Sequence, residues 1–391
     1  MKEILMKQFA RYPQMKIEDA VKLLFQSEFG GGHMVANPAK SLERIWQEWQ
    51  ENKTRQQERI SVCEPGIWTG NRQVDKLETG NRQADGAGIG ANNGWTNRGA
   101  VLPYEEIGDG ICRLYLSALD EGLLPETLNQ MFVRTADQKI GKKERFEKKL
   151  ELLLACCESG ELPFAPDEVR AYLSDYQAQG YPPVSHSDWY HSQYHPSYRV
   201  VSECYTRYYP VFLAIDRACT QAGERQVTVA IDGMCGSGKS TLGRILKEIY
   251  DCNLFHMDDF FLRPEQRTEA RLKEIGGNVD YERFADEVLG HLADPEGFRY
   301  QVFDCGTRTL AEMVQVPYRK LNIIEGSYSQ HPSFGDIYDL RFFYGIDNEE
   351  QKHRILKRNG AVMLERFINE WIPMENRYLE TFGIKERSIL V

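Results

Sequence analysis

A run of nine residues, Gly233-Met234-Cys235-Gly236-Ser237-Gly238-Lys239-Ser240-Thr241, restricts what this chain can fold into more than any other stretch. Its spacing is G-x-x-x-x-G-K-[S/T]. Glycines at those places let successive backbone N–H groups turn inward around an anion. A helix starting at the lysine aims its positive end at the same point. Such a loop needs a strand before it and a helix behind it, and both are legible. Val227-Thr228-Val229-Ala230-Ile231 is a short apolar run rich in β-branched residues, the pattern of a parallel strand buried on both faces. Leu242, Ile245, Leu246 and Ile249 share one helical face. The nine residues therefore read as a phosphate cradle for ATP or GTP, not as a turn with an incidental lysine. Lys239 would contact the β- and γ-phosphates, and Ser240 would set its hydroxyl on Mg²⁺.

The rhythm around the loop extends the same fold. Residues 253–257, 321–324 and 340–344 read as further strands, separated by helical stretches. Residues 221–391 are thus expected to form an α/β P-loop domain, a parallel sheet flanked by helices. Residues 1–220 read differently, as a mostly α-helical domain. Ile17, Val21, Leu24 and Phe25 share a face that ends at Gly30-Gly31-Gly32, and Leu42, Ile45, Trp46 and Trp49 repeat the pattern after Pro38. Ile111, Leu114, Tyr115, Ala118 and Leu119 also predict a helix, as do Phe146 to Cys157 and Val211 to Cys219. Between 65 and 99 the texture is Gly- and Asn-rich, and Thr69-Gly70-Asn71-Arg72-Gln73 recurs as Thr79-Gly80-Asn81-Arg82-Gln83. That duplication predicts a flexible insertion.

Composition narrows the function classes. A net charge of −10 argues against a broad nucleic-acid footprint, which needs clustered Lys and Arg. No stretch approaches the roughly 20 apolar residues that span a bilayer, and the N-terminus has no apolar leader. The nine cysteines form no C-x-x-C pair. A cytoplasmic protein with free thiols is the expectation, with no membrane or nucleic-acid partner. No N-K-x-D segment comes after the loop, as a GTPase would require, and no Ser-Gly-Gly-rich helix suggests a transporter ATPase. Downstream stands Phe255-His256-Met257-Asp258-Asp259-Phe260-Phe261, an acidic pair at a strand end. At the carboxyl edge of a parallel sheet, that position brings a carboxylate near the γ-phosphate. Alternation along a strand would turn only one of the two acids inward, Asp258 in preference to Asp259.

In order along the chain, these segments resemble the uridine kinase and phosphoribulokinase family of small-molecule kinases, over roughly residues 225–375. Met257-Asp258-Asp259-Phe260-Phe261 is similar to its Asp-x-Phe-Tyr segment. Asn278-Val279-Asp280-Tyr281 resembles the segment that approaches the substrate sugar, and Val302-Phe303-Asp304 stands where the family has a Tyr-Asp pair. Ile323-Ile324-Glu325-Gly326 looks like its strand-end Glu-Gly, and Arg354-Ile355-Leu356-Lys357-Arg358-Asn359 resembles its basic lid helix. The resemblance implies ATP- and Mg²⁺-dependent phosphoryl transfer to a hydroxyl of a small acceptor. Asp258 would orient that hydroxyl and take its proton. Glu325 would hold Mg²⁺ with Ser240, Arg354 and Arg358 would close over the transferring phosphate, and Asp280 and Asp304 would meet the acceptor.

Other readings of these residues stand beside it. Glu325 could cap a helix, 354–358 could be a solvated helix face, and Asp280 could merely start the helix of Phe284 and Val288. Phe261 and Phe303 stand where the family has tyrosines, and Cys305-Gly306-Thr307-Arg308 replaces its Thr-His-Ser segment. The acceptor is therefore open among a nucleoside, glycerate, pantothenate and a sugar phosphate. A non-catalytic ATP sensor is the remaining alternative, and a homo-oligomer is left open. In the first half, Phe29-Gly30-Gly31-Gly32-His33 reads as a helix-ending turn rather than a second anion loop. His186, His191 and His195 with Asp188 fit no zinc spacing.

Overall fold

The structure, a computed structural model, describes residues 1–35, 37–62 and 102–391. The duplicated Gly/Asn-rich insertion expected over 65–99 lies outside them.

The first half is helical, as the periodicity predicts. Its helices are α1 (Lys2–Arg11), α2 (Ile17–Phe29), α3 (Pro38–Val62), α4 (Pro125–Gln138), α5 (Lys143–Glu158), α6 (Pro166–Ala178), α7 (Asp188–Tyr194), α8 (Glu203–Arg207) and α9 (Tyr209–Ala222). Helix α2 begins with the Lys16 N–H donating to Asp19 Oδ2 at 2.8 Å and ends at Gly30.

One expectation fails here. Ile111 to Leu119 is not a helix but strand β2 (Ile111–Tyr115) followed by a 3₁₀ turn over Leu116–Leu119. This strand is the centre of an antiparallel sheet with β1 (Tyr104–Gly108) and β3 (Tyr198–Ser202). Because Ile111, Cys112, Arg113 and Leu114 are all buried, the alternation that marks a half-exposed strand is missing. The apolar spacing across the strand and the turn then imitates a helical stripe. Arg113 stays charged in this core because Gln26, Glu105 and the Tyr198 ring surround its guanidinium.

The second half holds five parallel strands in the order β10-β9-β4-β8-β5: β4 (Val227–Gly233), β5 (Cys252–His256), β8 (Leu321–Glu325), β9 (Leu340–Tyr344) and β10 (Ile389–Leu390). A separate antiparallel hairpin, β6 (Phe298–Asp304) with β7 (Thr309–Val316), stands beside them. Helix α10 (Lys239–Ile249) follows β4. The remaining helices are α11 (Glu269–Lys273), α12 (Tyr281–Glu287), α13 (Asn348–Asn359), α14 (Ala361–Arg366) and α15 (Ile372–Thr381). The four strands read from the sequence are present, each within a residue or two of its expected bounds.

The two halves contribute to one buried cluster. Ile45, Leu128, Phe212 and Ile215 pack with Val229, Ile231, Leu246 and Phe342. Each such side chain, taken out of water, contributes about 1.5–3 kcal/mol. A polar tie crosses the same contact. Leu124, just before helix α4, has no polar side chain to cap it, and Asp216 of α9 tethers this end instead. Asp216 accepts from the Leu124 N–H at 2.7 Å, from Thr127 Oγ1 at 3.0 Å and from Tyr250 OH at 2.8 Å.

Burial nevertheless outweighs those donors and pushes the Asp216 carboxyl up to about 7. A carboxyl with a folded-state pKa above its unfolded value binds its proton more tightly when folded. Its ionisation therefore costs stability progressively from about pH 4 to about pH 7. We expect the melting temperature of the native chain to fall more steeply over that range than that of Asp216→Asn. Parallel melting profiles would refute this.

Candidate active site

Strand β4 is central and completely buried, with β9 on one side and β8 on the other. The chain leaves β4 toward β5 on one side and later adds β9 on the other. The crevice at the carboxyl ends of β4 and β8 is thus the switch point where open parallel sheets bind ligands. The nine-residue loop lies there. Gly233 has φ +139, and a Cβ on it would lie 2.2 Å from the Tyr344 carbonyl oxygen, so no other residue fits. Gly238, with φ +116, turns the chain into α10. No side chain caps that helix, which leaves its first N–H groups facing the crevice.

Lys239 is buried, and its ammonium donates to the carbonyls of Gly233 (2.8 Å) and Met234 (3.0 Å) and to Ser327 Oγ (3.3 Å). Ser240 Oγ lies 3.2 Å from Glu325 Oε2. The other oxygen of Glu325 meets His256 Nδ1 at 2.5 Å. Residues 256 and 325 are register partners on adjacent strands, which accounts for the contact. The hydrogen bond to Glu325 holds the His256 imidazole above its usual range, against burial. Thr241 starts the exposed face of α10, away from the buried Leu242.

The acidic pair is not in a strand. Met257–Phe260 forms a 3₁₀ turn, so the two acids diverge by rotation about a helix rather than by strand alternation. Asp258 opens to solvent at the crevice, yet protein surrounds it closely. Desolvation first, and then the Glu325 charge, hold its carboxyl above the ordinary range, while Lys239 and His256 pull it back. Asp259 accepts instead from Tyr300 OH of the hairpin at 2.9 Å. Cys305 at the hairpin tip is raised by surrounding protein and by the charges of Asp258, Asp304 and Asp259, which puts the tip beside the pair.

Three of the expected site residues are engaged elsewhere. Asp280 caps α12, accepting from the Arg283 N–H, and its second oxygen accepts from Gln266 Nε2 at 2.7 Å. Asp304 closes the hairpin turn by accepting from the N–H groups of Gly306 and Thr307. These bonds hold its carboxyl below the usual range. Arg358 is exposed and donates to Asn359 Oδ1. Arg354, one turn earlier on α13, does reach the loop, donating to the Ser237 carbonyl at 3.0 Å while Glu350 holds its Nε. It grips the outside of the loop, beside Gln351, which donates to the Cys235 carbonyl.

Other side chains join the crevice without having been singled out in the sequence. Asp232 is fully buried and accepts from Tyr378 OH (2.7 Å) and from the Gln330 N–H (3.0 Å). Burial holds its carboxyl up, and the Tyr378 bond and Lys239 oppose this. An acid inside an otherwise apolar strand, one place before the loop, was the available signal. Glu375 of α15 accepts from the Cys235 N–H at 2.9 Å and from Ser327 Oγ at 2.6 Å. It lies 140 residues from Cys235, and no local pattern marks it.

In the first half, His186 is buried between Asp19 and Tyr198, at 2.9 and 2.7 Å. Among the described residues, no cluster of three or more His, Cys, Asp or Glu side chains is arranged to hold a metal. Cavities of about 300 and 480 Å³ also lie in that half, walled by Tyr12, Tyr115 and Tyr194 and lined by none of the loop residues. No described helix is long and apolar enough to cross a membrane.

No family model matches the chain, and no curated protein matches it. Solved structures do. One is a possible uridine kinase from Bacillus stearothermophilus, 20% identical, covering 46% of this chain and 98% of its own, with a TM-score of 0.35. Another is a D-glycerate 3-kinase from Cryptococcus neoformans, 14% identical, covering 41% of this chain and 84% of its own, with a TM-score of 0.32. Likeness at this level leaves the activity to rest on the crevice itself.

Proposed function

We propose that this chain transfers the terminal phosphoryl group of ATP to a hydroxyl of a small metabolite, as a cytoplasmic enzyme. The observation that carries this is the convergence, at the carboxyl ends of adjacent strands, of Lys239 and Ser240 with the carboxylates of Glu325 and Asp258. Phosphoryl transfer asks for positioning and charge, which these groups supply.

The uncapped start of α10 and the loop N–H groups would hold the phosphate oxygens, and Lys239 would swing from the loop carbonyls onto the β- and γ-phosphates. Ser240 and Glu325 offer adjacent hard oxygens, the donor type that suits Mg²⁺. When bound there, that ion would offset charge on the phosphates. His256 fixes the orientation of Glu325. Asp258 accepts the acceptor's hydroxyl proton as its oxygen bonds to the γ-phosphorus and the bond to the β-phosphate oxygen breaks, releasing ADP. Its carboxyl, raised by burial and by the Glu325 charge, is a better base than an ordinary aspartate.

A nucleoside is the first acceptor to try, with glycerate, pantothenate and sugar phosphates beside it. The test is acceptor-dependent ADP formation by the purified protein with ATP and Mg²⁺. Turnover with one acceptor supports the reading. Tight ATP binding with no turnover on any acceptor would favour a nucleotide sensor.

A further inference from the structure

A carboxylate already sits where an anion is wanted. The Cys235 N–H, one of the loop groups that would turn toward phosphate, donates to Glu375 Oε2 at 2.9 Å. The other oxygen, Oε1, accepts from Ser327 Oγ at 2.6 Å, and Ser327 in turn lies 3.3 Å from the Lys239 ammonium. Glu375 is only 7% exposed, so its charge is held inside the site and not at its rim. Two loop features that should serve a polyphosphate, an inward N–H and the lysine, are thus both occupied by groups of the protein itself.

The element that carries Glu375 has an irregular start. It begins α15 directly after a π-helical turn over Phe367–Trp371, and Pro373, which has no N–H to give the preceding turn, stands at that junction. Such π turns interrupt the regular ladder and recur at functional sites.

Building on the phosphoryl-transfer reading, we infer that Glu375 is an internal competitor for the nucleotide. Its carboxylate holds the loop N–H in the empty protein, and ATP must displace it. A carboxylate and a γ-phosphate cannot share one N–H without like charges meeting in a desolvated crevice. Nucleotide binding therefore moves the start of α15 away from the loop. The affinity of the protein for ATP is lowered by the fraction of molecules in which the contact is closed.

The test is titration of N-methylanthraniloyl-ATP with Mg²⁺, without acceptor, into the full chain and into Glu375→Gln. The glutamine keeps the shape but not the charge. Its dissociation constant is expected to fall about tenfold. An unchanged or larger constant, in a variant that melts as the native chain does, overturns the inference and leaves the kinase reading standing. Absence of binding by both proteins overturns both readings. Hydrogen exchange on the native chain checks the movement without a substitution. ATP should slow exchange over 233–241 and speed it over 372–381, whereas slowing over both would overturn the inference.

Discussion

Lys239→Ala is expected to lower acceptor-dependent turnover about a thousandfold, the size of effect seen when a buried charge aimed at a transition state is removed. The substitution does more than delete a phosphate contact. Lys239 is the cation that draws down the carboxyl groups of both Asp232 and Asp258. Without it, the Glu325 charge acts on Asp258 with His256 left in opposition, and Asp258 becomes easier to protonate. Weakened nucleotide binding should accompany the loss of rate. A variant that folds and keeps a tenth of native turnover would remove the loop from the chemistry altogether.

Asp258→Asn should separate binding from chemistry. Asparagine matches the shape but takes no proton, so ATP affinity should stay within a few-fold of native while kcat drops by about 10² to 10⁴. Asp259→Asn is the companion control. Its partner is Tyr300 of the hairpin, and its effect should be far smaller. If the two effects were reversed, the general base would have been assigned to the wrong side of the 3₁₀ turn. Equal and full turnover in both variants would leave the reaction without a proton acceptor among these acids.

Local chemistry dictates the features that were legible in the sequence. The loop, its flanking strand and α10 come from residues within a few places of one another, and the strands 252–256, 321–325 and 340–344 show as apolar runs. Glu325 and Asp258 could be singled out because they end two of those runs. Illegible features depend on strand order or distant packing. His256 meets Glu325 only because β5 lies next to β8, which no periodicity reveals. Glu375 and Tyr378 arrive from the far end of the chain. Asp280 caps a helix start with one oxygen and meets Gln266 with the other, whereas Asp304 holds a hairpin turn through Oδ1, and neither engagement shows in the residue type. Strand β2 misled because burial on both faces erased its period and the turn after it supplied a false one.

The apolar cluster shared by the two halves has a thermodynamic corollary. When Phe212 and Ile215 pack on the same core as Val229 and Phe342, neither half can melt without exposing the other. Any molecule that binds only the folded crevice then protects the helical half as well, by mass action through their joint unfolding. A hundredfold excess of nucleotide over its dissociation constant amounts to about 2.7 kcal/mol of protection. A protease site placed in α4, whose Leu128, Met131 and Phe132 belong to the shared cluster, should therefore report nucleotide occupancy as one placed in the loop itself does.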